Sequence, residues 1–125
     1  MNPSAVLSGE CTNQEMANDP DIAQHLLAVM REVLTTAPKV LGRPLPSGVA
    51  TPESILQSIQ RNKSGNKPSM LIDWEKGSRM ELEVILGNPI RIAREHGIDM
   101  PRLQSMYALL KKAQGQRIKR ASSKL

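Results

Sequence analysis

Few side chains in these 125 residues are of a type and spacing that could do chemistry. Glu81 is a carboxylate just ahead of an apolar stretch, where it is either a working acid or base or simply an anion favoured by the dipole at a helix start. Ser69 offers a hydroxyl that serves equally as a helix-start residue satisfying backbone donors. Asn13 lies in the polar run Cys11-Thr12-Asn13-Gln14, which reads as a loop. Cys11 is the single cysteine, so no intramolecular disulfide can form and a reducing compartment fits best. With His25 and His96 far apart, no Cys/His set has zinc spacing, and no metal is expected. Met70, Met80, Met100 and Met106 read as core filler, the commoner use of methionine.

The last three residues are Ser123, Lys124 and Leu125, the tripeptide that a peroxisomal import receptor reads at a chain end. With Lys119 and Arg120 upstream keeping the tail soluble and extended, a peroxisomal location is expected. The first ten residues show no basic region followed by an apolar run, and no stretch is long and apolar enough to span a bilayer. A soluble protein, neither secreted nor membrane-bound, is expected.

The elements that must position these groups are helical. From Asp19-Pro20 to Pro38, the residues Ile22, Leu26, Val29, Met30, Val33 and Ala37 recur every three or four positions and share one helix face. Two prolines and two glycines among residues 42 to 48 forbid regular structure. Thr51-Pro52-Glu53 starts a second helix that stops near Asn62. A polar loop over residues 63 to 67 leads to Pro68, which opens a short helix ending at Gly77. Between Met80 and His96 the apolar residues exceed what one face needs, so that helix is expected to be central. Pro89 within it predicts a kink or a break at Gly87-Asn88-Pro89. Pro101 opens a last helix with Leu103, Met106, Tyr107 and Leu110 inward. No run alternates as a strand does. One all-α domain of five or six helices over residues 1–115 is expected, followed by a basic, solvated tail over residues 116–125.

The net charge of +5 is a C-terminal property, since no acid follows Asp99. Nucleic acid is not the expected partner, because stacking aromatics and a recognisable binding motif are both missing.

Residues 67 to 75, Lys67-Pro68-Ser69-Met70-Leu71-Ile72-Asp73-Trp74-Glu75, followed by Gly77 and Met80-Glu81-Leu82-Glu83, resemble a signature in the C-terminal domain of the ketopantoate reductase family, a Ser-Met-Leu-x-Asp turn and then a helix beginning Glu-Ile-Asp. Asn2-Pro3, Cys11, Asn13 and Asp19-Pro20 upstream also resemble that domain, as do Arg94-Glu95-His96-Gly97-Ile98, Pro101 and Tyr107-Ala108-Leu109-Leu110 downstream. The resemblance implies an all-α domain like that of the 6-phosphogluconate dehydrogenase C-terminal type. It also implies a relation to pantothenate biosynthesis, a partner Rossmann domain holding NADPH, and a cleft for a small 2-keto acid. By that resemblance Ser69 and Asn13 contact substrate, and Glu81 binds the substrate hydroxyl and helps orient a catalytic lysine.

Three departures matter. The family's catalytic lysine precedes the position matching Asn2, and no counterpart is present. There is no Gly-x-Gly-x-x-Gly loop, so this chain alone is expected to bind no cofactor, with NADPH held only by a separate nucleotide-binding subunit. Leu86 stands where the family usually has an asparagine before Gly87. The leading expectation is a ketopantoate-reductase-like helical half that is no reductase alone. The alternatives are a repurposed small-ligand-binding or homodimerising module, and a non-reductive enzyme with Glu81 as base.

Overall fold

The computed structural model describes residues 1–62 and 65–123. Seven helices follow one another: α1 (Asn2–Leu7), α2 (Asn13–Asn18), α3 (Pro20–Leu41), α4 (Pro52–Arg61), α5 (Ser69–Lys76), α6 (Asn88–Glu95) and α7 (Pro101–Ser123). There is no strand among the described residues. The all-α expectation holds.

Two helices are additions to the sequence reading. α1 and α2 are six residues each. Cys11 to Gln14 is not a loop throughout: Thr12 accepts from the Glu15 N–H, and the Glu15 carboxylate accepts from the Thr12 N–H. This reciprocal capping box satisfies two otherwise unpaired donors and starts α2 at Asn13.

α3 begins as expected, with Asp19 accepting from the Asp21 and Ile22 N–H groups. It passes Pro38 and ends at Leu41. A proline one turn from a helix end frees only one carbonyl, and the carbonyl of Pro38 itself closes the helix by accepting from Arg43 N–H at 3.2 Å.

Ahead of α6 the helical backbone runs on without a break. Glu83–Gly87 forms one π-helical turn, with the Asn88 N–H bonding back to the carbonyl of Glu83. Pro89 has no N–H to offer to the preceding turn, and widening that turn by one residue lets the helix continue into α6. The segment is also less central than its composition suggests, because Val84 and Ile92 remain 63% and 45% exposed.

Leu26, Leu71, Leu86 and Leu110 are among the most deeply buried side chains, joined by Met16 and Met70. Methionine fills the irregular gaps that aromatic side chains would otherwise occupy. α5 packs on α1; α2, α3 and α4 pack on one another; and α7 runs against α1, α3 and the π turn. The amino terminus of α7 is capped from a distance: the Glu32 carboxylate on α3 accepts from the Arg102 and Leu103 N–H groups at 3.0 and 2.9 Å.

His25 is half-buried and within 3.0 Å of the buried Ser4 hydroxyl, tying α3 to α1. Burial first, then Arg102 and the amino terminus, holds its pKa below the ordinary histidine value.

The tail departs from expectation as well. α7 continues helical through Gly115 to Ser123 instead of becoming extended, although its last residues are exposed as expected. Arg117 anchors it by donating to the Trp74 carbonyl and stacking on the Trp74 ring, 3.6 Å from its centroid. Lys124 and Leu125, two of the three expected targeting residues, lie outside the described residues, as do Lys63 and Ser64 of the predicted loop.

Candidate functional site

α5 presents two faces. Met70 and Leu71 are buried in the core, while Ser69 and Asp73, four residues apart, line one surface pocket. Pro68 occupies the cap position and supplies no side-chain acceptor. The Met70 N–H is instead taken by Asn2 Oδ1 of α1 at 3.4 Å. Ser69, the first residue of the helix, therefore does not act as its cap.

At the other end Gly77, at φ 75°, turns the chain back, a left-handed conformation that L side chains resist. The Ser78 N–H bonds to the Asp73 carbonyl at 2.9 Å. Met80 is then pinned twice, by burial of its side chain and by its N–H donating to Gln114 Oε1 at 2.7 Å. Glu81 follows immediately. Its backbone carbonyl accepts from Ile85 N–H, and its side chain is exposed ahead of the helical residue Leu82.

The result is a small pocket of about 60 Å3 lined by Ser69, Met70, Asp73, Glu81 and Ile85. It has room for one functional group of a ligand. Two carboxylates and a hydroxyl accept hydrogen bonds and repel a carboxylate, so the pocket suits a ligand hydroxyl. Asp73 is a member that sequence reasoning did not assign. Its signal was present in the Ser-x-x-x-Asp spacing, which puts both side chains on one helical face.

Asn13 is not in this pocket. It lines a separate one of about 70 Å3 with Gln14, Ile59, Asn62, Gly65 and Asn66. Its buried Oδ1 has no hydrogen-bond partner among the described residues, whereas its backbone N–H bonds to the Asn66 carbonyl at 3.5 Å. The structure thus brings Ser69 and Glu81 together and leaves Asn13 apart.

The π turn beside the pocket is braced on its outer side. Glu83 accepts from the Tyr107 hydroxyl at 2.5 Å and from Arg91 at 2.9 Å, and these hydrogen bonds, Tyr107 first, lower its pKa below the usual carboxylate value. A Cβ on Gly87 would stand 2.2 Å from Glu83 Oε2, so the absence of a side chain there lets the ion pair close over the helix. Leu86 is buried in the core, 2% exposed, and contributes no polar group to the pocket.

Among the described residues no group of three His, Cys, Asp or Glu side chains could hold a metal, and no helix is long and apolar enough to cross a membrane.

The sequence profile described as "Ketopantoate reductase PanE/ApbA C terminal" matches residues 1–114. The chain belongs to the ketopantoate reductase C-terminal domain family. A 2-dehydropantoate 2-reductase from a Nostoc species is 34% identical over 86 residues, covering 66% of this chain and 25% of that protein. An uncharacterized Saccharomyces cerevisiae protein is 64% identical over 44 residues, which are 35% of this chain and 12% of that one. Among solved structures, the 2-dehydropantoate 2-reductase of Methylococcus capsulatus superposes with a TM-score of 0.79 at 33% identity, covering 94% of this chain and 39% of that one. A dimeric ketopantoate reductase from Staphylococcus aureus gives 0.75 at 26% identity, with 93% and 39% coverage. The chain therefore spans well under half the length of these ketopantoate reductase relatives.

Proposed function

We propose that this domain is the substrate-side half of a ketopantoate-type 2-keto acid reductase, receiving a substrate hydroxyl between Ser69 and Glu81. The observation that carries this reading is the meeting of these two side chains in one pocket, across the turn at Gly77. The Ser69 hydroxyl and the Glu81 carboxylate orient the ligand, and Asp73 keeps the pocket selective for a hydrogen-bond donor. The hydride donor, NADPH, and the family's catalytic lysine belong on a nucleotide-binding unit outside these residues. Purified chain mixed with ketopantoate and NADPH is expected to show no NADPH oxidation, followed by absorbance. Turnover by the chain alone would overturn the division of labour.

A second reading, a ligand-binding or dimerising module, is favoured by one observation. An apolar groove of about 300 Å3 lies between α3 and α6, lined by Val33, Ala37, Leu41 and Ile92 among others. Leu41 and Ile92 are 56% and 45% exposed, a face that suits either a nucleotide-binding unit or a second copy.

A peroxisomal location, with the import receptor as partner, is proposed from Ser123, Lys124 and Leu125. In eukaryotic cells, a fluorescent protein fused ahead of residue 1 should travel with the chain to peroxisomes, and one fused after Leu125 should leave it cytosolic. Peroxisomal location of the second fusion would contradict the proposal.

A further inference from the structure

A cleft of about 660 Å3 opens between the α5–Gly77 turn and the last turns of α7, away from the Ser69–Glu81 pocket. Its walls bring together three cations from two separate segments, Lys76 and Arg79 on one side and Arg117 on the other. The one acidic residue in the lining, Glu75, is paired with Lys67 at 3.1 Å to both its oxygens. The cleft therefore carries an excess of positive charge.

Arg117 is held in place before any ligand arrives. Its guanidinium stacks on the Trp74 ring and donates to the Trp74 carbonyl, which leaves further N–H donors of the fork for another acceptor. Beyond Arg117 the helix is exposed on every side, and Lys119 and Arg120 have no acidic neighbour on α7. Like charges so placed repel one another, and a bound anion relieves them.

Ser78 and Ser122 add hydroxyl donors, while Trp74, Ile118 and Ala121 supply an apolar wall. The volume falls in the range of small-molecule sites. A single carboxylate neutralises one cation of three. A phosphomonoester brings a charge of about −1.5 to −2 and three acceptor oxygens, and an organic body attached to it would cover the apolar wall.

We propose that this cleft binds a small organic phosphate, the phosphoryl group held by Lys76, Arg79 and Arg117 and the organic body against Trp74 and Ile118. The site lies apart from the keto-acid pocket, so either proposal can fail alone.

Trp74 is the chain's only tryptophan, so its fluorescence reports on this cleft directly. Titration of the full chain with n-butyl phosphate, at ionic strength held constant with NaCl, should give a saturable change with half-saturation at or below about 1 mM. Inorganic phosphate should bind at least about tenfold more weakly, lacking contact with the apolar wall. Arg79→Ala, at an exposed position, should weaken n-butyl phosphate at least about tenfold while circular dichroism stays helical. An unsaturable response, equal affinities for the two phosphates, or an unchanged titration in R79A would each overturn the proposal.

Discussion

Replacing Leu110 by alanine is expected to lower the unfolding free energy by about 3 kcal/mol and the melting temperature by on the order of 10 °C. Leu110 is 0% exposed on α7, the helix that packs on α1, α3 and the π turn. Truncation there removes a transfer contribution and leaves a cavity that three neighbouring elements cannot jointly collapse to fill. Its neighbour provides the control. Leu109 is 60% exposed, and Leu109→Ala should change stability by less than about 0.5 kcal/mol. Thermal and urea unfolding of the two variants checks both values. A loss below about 1 kcal/mol for L110A would mean that Leu110 is not packed between α7 and its three neighbouring elements as described.

That helix was legible in the sequence, because Leu103, Met106 and Leu110 recur at helical spacing after a first-turn proline. α4 and α5 were legible for related reasons, with Thr51-Pro52 at one start and Gly77 at one end. The π turn was not. Pro89 announces trouble for a regular helix, but the choice between a kink, a break and one wide turn depends on tertiary packing that Leu86 and Ile90 make with the core. The start of α2 is carried by the Thr12-x-x-Glu15 capping box, a signal too short to stand out within a polar run. The helical tail was not readable, since its anchor is the stacking of Arg117 on Trp74, 43 residues away.

The site was legible in the same partial way. Ser69 and Glu81 came from a resemblance that residue types alone would not have supported, and the structure adds the reason they meet, a turn fixed by Gly77 and a buried Met80. Asp73 was not assigned, although its helical spacing from Ser69 carried the signal. The separation of Asn13 into its own pocket depends on its contact with Asn66, a long-range pairing that no local pattern predicts.

Glu81→Gln is the second large effect expected, this time on binding. A hydrogen bond from a ligand hydroxyl to an ionised carboxylate contributes about 1.5–3 kcal/mol, so its loss should weaken ketopantoate binding by about tenfold to a hundredfold. Stability should change by less than about 0.5 kcal/mol, because the side chain is exposed and precedes the helix it leads into. Weakened binding with unaltered melting separates a ligand-holding carboxylate from a helix-start anion, whose removal would lower the melting temperature and leave binding untouched.

The most direct test of the substrate-half account is an amide-resolved NMR titration of the described chain with ketopantoate, in parallel for the wild type and Glu81→Gln. The account predicts saturable shifts in the wild type clustered at Ser69, Asp73, Glu81 and Ile85, absent from Asn13, and weakened at least about tenfold by the substitution. Shifts centred on Asn13 and Asn66, or an E81Q titration matching the wild type, would contradict it.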